Sequence, residues 1–185
     1  MITNARQLLQ PGAVGVIPTD TVYGVVARAA DQTAVERLYN LKKRENKPGT
    51  VIAASLEQFE NLGLKHRYVK AVEQFWPGAV SVVIPVSNPG LAYLHRGRMS
   101  LAVRIPDDVE LQKLLAQTGP LLTSSANPPG QPVATTIAQA KAYFGDQPDF
   151  YVDGGDLSKR IPSTVIRVID DAIEILRPGA AKTRE

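Results

Sequence analysis

The sequence predicts an α/β (α+β) domain built on one mixed sheet, and three observations carry that. Strand-like and helix-like segments interleave from end to end. No repeat or low-complexity linker interrupts them, so residues 1–185 are expected to form a single domain. Several neighbouring strand segments, the last two above all, are close enough for hairpins, so parallel and antiparallel neighbours should share the sheet.

Each element has a local reason. TNARQLLQ (3–10) starts near a threonine and reads as a short helix ended by Pro11 and Gly12. AVGVIP (13–18) and VYGVVARA (22–29) are short apolar runs, read as buried strands. DQTAVERLYNLKKR (31–44) opens on an aspartate and places Val35, Leu38 and Leu41 on one helical face. TVIAA (50–54) is a strand, and Ser55 with Gln58 is a capping-box pattern that opens the next helix. RYVKAVEQFW (67–76) is helical up to Pro77 and Gly78, and AVSVVIPV (79–86) and LAVRIP (101–106) are strands. DDVELQKLLAQ (107–117) is a helix capped by Asp107 or Asp108. PLLTSSAN (120–127) is a strand running into polar residues, and ATTIAQAKAYFG (134–145) is a helix. FYVD (150–153), STVIRVI (163–169) and AIEILRPG (172–179) are late strands.

Composition narrows the chemistry. Apolar residues make up 44% and charged residues 21%, ordinary values for a globular chain that buries a core. Without cysteine there is no disulfide, thiolate nucleophile or Cys-ligated zinc, which fits a reducing cytoplasm. His66 and His95 stand alone in the sequence, so no metal site is expected. No apolar run reaches membrane-spanning length and the first residues lack a signal-peptide pattern, so no membrane partner is expected. A net charge of +3 suits anionic partners. The clusters at 42–47, 96–98 and 159–160 read singly as solvated surface charge.

Four polar stretches fall at predicted element ends, where ligands of α/β sheets usually bind. They are PTDT, KKRENK, LTSSANPPG and PSTV, which together hold Thr19, Asp20, Thr21, Lys42, Arg44, Thr123, Ser124, Ser125, Asn127, Ser163 and Thr164. Each alone reads as a turn, a cap or a helix C-terminus. Together they are rich in hydroxyls, amides and cations. No Ser-His-Asp arrangement, phosphate-binding glycine loop or dinucleotide fingerprint accompanies them. Such a set holds anionic substrates and neutralises developing charge, as phosphoryl or nucleotidyl transfer requires.

These stretches resemble the YrdC family, the threonylcarbamoyl-AMP synthases that begin threonylcarbamoyladenosine formation in tRNA. IPTDTVYG, LKKR, FWPGAVSVVI, VRIPDD, LLTSSANPPGQP, IPSTVIRV and ILRPGA occur in the family's order from Val14 to Gly179. The resemblance implies a three-layer fold on a twisted mixed sheet with a positively charged concave cleft. It implies a nucleotide site with Lys42, Arg44, Ser125 and Asn127 as its catalytic set. It also implies that Thr19, Thr21, Tyr23, Arg104, Thr123 and Ser163 bind substrate, with Arg177 toward the nucleotide. The implied nucleotidyltransferase reaction joins L-threonine, bicarbonate and ATP, with magnesium carried by ATP, into threonylcarbamoyl-AMP and pyrophosphate. A separate tRNA threonylcarbamoyl transferase complex would take the product from this short, single-domain form. The sequence departs from the family pattern at Glu45, where proline is common, and at Pro129, where serine is usual. A histidine often present on the strand at 50–54 is also missing.

Two other functions stay open on the sequence. One is a tRNA or double-stranded RNA binding module without catalysis, since the family's concave face is associated with RNA. The other is the carbamoyl-adenylating activity of hydrogenase-maturation proteins, which are long and carry zinc-finger-like segments that a chain without cysteine lacks.

Overall fold

Local sequence signals set most element boundaries. The computed structural model describes residues 5–43, 47–170 and 172–181. Among these, the helices are α1 (Ala5–Leu8), α2 (Gln32–Leu41), α3 (Leu56–Leu62), α4 (His66–Ala71), α5 (Ala92–His95), α6 (Val109–Thr118) and α7 (Ile137–Phe144). The strands are β1 (Val14–Pro18), β2 (Tyr23–Arg28), β3 (Thr50–Ile52), β4 (Val80–Pro85), β5 (Ser100–Arg104), β6 (Leu121–Ser125), β7 (Phe150–Tyr151), β8 (Thr164–Ile169) and β9 (Ala172–Arg177). None of these helices is long and apolar enough to cross a membrane.

Side chains close the helix starts. Asp31 accepts from Ala34 N at 3.0 Å and Thr136 caps α7. Of the two candidate aspartates it is Asp108 that caps α6, accepting from Leu111 N at 2.8 Å. Ser55 accepts from Gln58 N at 3.3 Å, while the Gln58 carboxamide reaches back to Ala54 N at 2.9 Å, one residue earlier than a standard capping box. The helix expected over 67–76 divides into α4 and a 3-10 turn, Glu73–Phe75. Helix α5 and the 3-10 turn before it, Pro89–Leu91, were not expected from the sequence. Four residues show no helical period, and burial of Leu91, Leu94 and His95 holds this one in place.

The strands form one nine-stranded sheet in the order β7-β1-β2-β6-β3-β5-β4-β8-β9. It is mixed as expected: β1–β7, β3–β5 and β4–β8 are parallel, and the other neighbours, including the β8–β9 hairpin, are antiparallel. Strand alternation gives the sheet two unlike faces. One is mainly apolar, with Val16, Val25, Val51, Leu122, Leu101, Val103, Val82 and Ile166 packed beneath α2, α3, α4, α5 and α7. The other is covered at one end only. There Ile17, Val26, Ile52, Leu121 and Phe150 pack against Leu8 of α1 and Leu111, Leu114 and Leu115 of α6. The result is three layers, with half of one sheet face bare of helix.

Candidate functional site

The bare half-face is the floor of a cavity of about 510 Å³. Its residues follow from the alternation that buries their neighbours. On β5, Leu101 and Val103 enter the core, so Ser100, Ala102 and Arg104 face the cavity. On β6, Leu121 lies under α6 whereas Thr123 and Ser125 lie beyond it. Thr50 and Gly24 follow Ile52 and Val26 in the same way. Gly24 is needed for close approach: a Cβ there would stand 2.5 Å from the Thr123 hydroxyl. Val83, Val165 and Leu176 add an apolar side.

The 19–21 turn walls one end. Its dense hydroxyls serve two ends. Thr19 Oγ1 accepts from the backbone N of Thr21 and Val22, each at 3.2 Å, and donates to Val22 O at 2.6 Å, so the turn itself uses that hydroxyl. Thr21 Oγ1 lies 3.1 Å from Thr19 Oγ1, and both threonines line the cavity. Arg160 braces the turn from outside by donating to Thr19 O at 2.8 Å. Opposite, Arg177 Nη2 donates to Ser163 O at 2.7 Å and to Ser163 Oγ at 3.2 Å, and Ser163 Oγ lies 2.9 Å from Ser81 Oγ. Ala180 N donates to Pro162 O at 2.8 Å, and a Cβ at Gly179 would meet that same oxygen at 2.3 Å.

The cavity therefore gathers Thr19, Thr21, Arg104, Thr123, Ser124, Ser125, Ser163 and Arg177 of the residues singled out in the sequence. Three of the residues expected at the site, Tyr23, Lys42 and Asn127, sit beside that lining and bond to the segments around it. Tyr23 is wholly buried; its hydroxyl donates to Gly155 O at 2.8 Å and accepts from Gly154 N at 2.8 Å, tying the 153–155 loop to β2. Burial of the phenol, opposed by the Gly154 N–H and reinforced by the Asp153 charge, raises its pKa above the ordinary value, so it keeps its proton. Lys42 is 4% exposed and its ammonium turns under the 125–127 segment, donating to the carbonyls of Ser125 and Asn127 and to Asn127 Oδ1 at 3.2 Å. A desolvated ammonium needs such acceptors. Asn127 in turn accepts from Ser125 Oγ at 2.7 Å and donates to Gln131 O at 2.7 Å. Lys42 and Asn127 thus shape the loop that presents Ser125. Helix α2 stops at Leu41 with Lys42 as its C-cap, and Lys43 is exposed at φ +48°. Arg44 lies outside the described residues.

Two cations were read in the sequence only as surface charge: Lys47 and Arg98 line the cavity with Arg104 and Arg177. Arg98 carried no spacing signal: it precedes β5, and the backbone turns at Met99, φ +55°, before the strand begins at Ser100. Among the described residues no carboxylate lines the cavity. Nor do three or more His, Asp or Glu side chains gather anywhere among them as a metal site would require.

Comparison with known proteins agrees with this architecture. The sequence model of the Sua5/YciO/YrdC family, described as telomere recombination, matches residues 7–179. A threonylcarbamoyl-AMP synthase of Stutzerimonas stutzeri is 33% identical over 190 residues, covering 96% of this chain and 97% of the relative. The Bacillus subtilis threonylcarbamoyl-AMP synthase is 33% identical over 96% of this chain, which spans 53% of that protein. Pyrococcus abyssi Sua5 complexed with L-threonine superposes with a TM-score of 0.82 at 30% identity; the match covers 95% of this chain and about half, 53%, of that one. Escherichia coli YciO, at 22% identity and a TM-score of 0.79, shares the fold. By sequence and by structure, the chain belongs to the Sua5/YciO/YrdC family.

Proposed function

We propose that this chain is a threonylcarbamoyl-AMP synthase, a nucleotidyltransferase that makes L-threonylcarbamoyl-AMP and pyrophosphate from L-threonine, bicarbonate and ATP. The observation that carries the proposal is the cavity lining. Hydroxyls of Thr21, Thr123 and Ser125 and the cations Lys47, Arg98, Arg104 and Arg177 surround one space, with no carboxylate among the described lining residues. Threonine offers a carboxylate, and bicarbonate and ATP are anions, so such a lining attracts every reactant. The Pyrococcus relative crystallised with L-threonine supports the amino-acid assignment.

In this reading the neutral threonine amine attacks the carbon of bicarbonate or of the carbon dioxide derived from it. A C–N bond forms, the amine loses a proton, and with bicarbonate a water leaves. A carbamate oxygen then attacks the α-phosphorus; that P–O bond forms as the bond to the pyrophosphate oxygen breaks. Arg104, with the threonine hydroxyls around it, would receive the amino acid. Lys47, Arg98 and Arg177 would hold phosphates and stabilise the leaving pyrophosphate. Magnesium would arrive chelated by ATP. Cytoplasmic location and transfer of the product to a tRNA threonylcarbamoyl transferase complex complete the proposal.

The test is pyrophosphate release by purified protein, expected only when ATP, threonine and bicarbonate are all present. Release without threonine would refute the reading. Salt-sensitive RNA binding with no turnover would favour an RNA-binding module instead.

A further inference from the structure

Asp20 is bonded to Arg104 of the cavity lining, and none of the chemistry above uses it. Its side chain is 8% exposed and forms an ion pair with Arg104, itself 3% exposed, through Oδ2 and Nη1. The pairing is incomplete. Asp20 Oδ1 and Arg104 Nε are both buried and neither has a hydrogen-bond partner among the described residues. A pair serving stability alone would adopt the side-on, two-bond geometry that satisfies both atoms. Leaving two buried polar atoms unpaired opposes folding, and proteins tolerate that mainly where a site needs it.

The single bond has a directional consequence. Nη1 is bound to Asp20 and Nε is shut away from solvent, so the guanidinium is held at Nη1 while Arg104 lines the cavity. Asp20 itself cannot easily shift. It sits between Thr19 and Thr21 in a turn closed by the Thr19 hydroxyl and braced by Arg160.

We propose that Asp20 is a positioning residue for carboxylate recognition: it fixes the guanidinium of Arg104 so that the amino acid's carboxylate is received in one orientation. The inference rests on the synthase reading and adds a residue to it. With the carboxylate fixed, the amine of the same molecule is presented in one place for carbamoylation.

The experiment uses two substrates, L-threonine and L-threoninol, which carries a neutral hydroxymethyl group in place of the carboxylate. Pyrophosphate release is measured for wild-type protein, Asp20→Asn and Asp20→Ala, with circular dichroism as the folding control. Wild-type protein is expected to prefer threonine by on the order of a hundredfold in kcat/KM, because a site built for a polar group rejects the analogue without it. In Asp20→Ala the preference should fall to below about tenfold, mainly through a higher KM for threonine, with the KM for ATP within about twofold of wild type. Asp20→Asn keeps an acceptor for Nη1 and should lie between them, and it preserves the test if Asp20→Ala does not fold. An unchanged preference in a folded variant, or an equal loss for both substrates, overturns the inference while leaving the synthase reading intact. A wild-type protein that uses neither substrate defeats the synthase reading and this inference together.

Discussion

Strand β5 separates the two faces of the sheet within five residues. Leu101 and Val103 point into the apolar core, 1% and 0% exposed, while Ser100, Ala102 and Arg104 point into the cavity. The backbone geometry is the same on both sides. What differs is the cover: five helices lie on the first face, whereas α1 and α6 reach only part of the second. The closed face is filled with large aliphatic residues. The open one carries small residues, hydroxyls and arginines beside the apolar Val83, Val165 and Leu176, so its side chains leave volume and present hydrogen-bonding groups. The cavity thus arises where one layer of packing is withheld.

Exchanging large and small residues across β5 tests that contrast most severely. Leu101→Ala should lower stability by about 2–5 kcal/mol in chemical denaturation, with the KM for ATP unchanged, because it opens a void in the closed face. A loss confined to activity would break the comparison. Ala102→Leu should do the reverse. It fills the cavity floor, so pyrophosphate release should fall by on the order of a hundredfold, as misplacing reactants by about 1 Å does, while the melting transition is nearly unmoved.

The cations at the end of α2 sharpen the same contrast. Lys42 is buried against the carbonyls of Ser125 and Asn127, and Lys43 is exposed. Lys42→Ala leaves those acceptors unpaired, at about 1–3 kcal/mol each, and should reduce both stability and turnover. Lys43→Ala should change neither. Equal damage from both would show that the cluster acts as diffuse positive charge.

The smallest effect concerns the other end of α2. Burial acts to raise the Asp31 pKa, but N–H groups of Ala34 and Gly12 and the Arg28 charge outweigh it and hold the group below its ordinary value. A depressed carboxylate stabilises the fold above its unfolded pKa, and that contribution is lost as pH falls through the folded pKa. Asp31→Ala should therefore cost about 1 kcal/mol at neutral pH. In paired melts at pH 7 and near pH 3, the gap to wild type should narrow at the lower pH, below about 4. A gap that widens on acidification would contradict the assigned sign.

Short-range signals in the sequence determined the elements. Asp31, Ser55, Asp108 and Thr136 cap helices as contacts between near neighbours, which a linear chain displays directly. The hairpin of the last two strands and the mixing of strand directions were legible for the same reason, and the polar stretches at strand ends pointed to Thr19, Thr21, Thr123, Ser124, Ser125 and Ser163 among the residues that line the cavity. Only the tertiary structure decided what those residues do. Alternation assigns Ser100 and Leu101 to opposite sides of β5, but nothing local states which side a helix will cover. Lys42 finds its acceptors 83 and 85 positions away, and Asp20 meets Arg104 across 84. Such partners are brought together by packing of the whole sheet, and the burial that makes them matter exists only once it has formed.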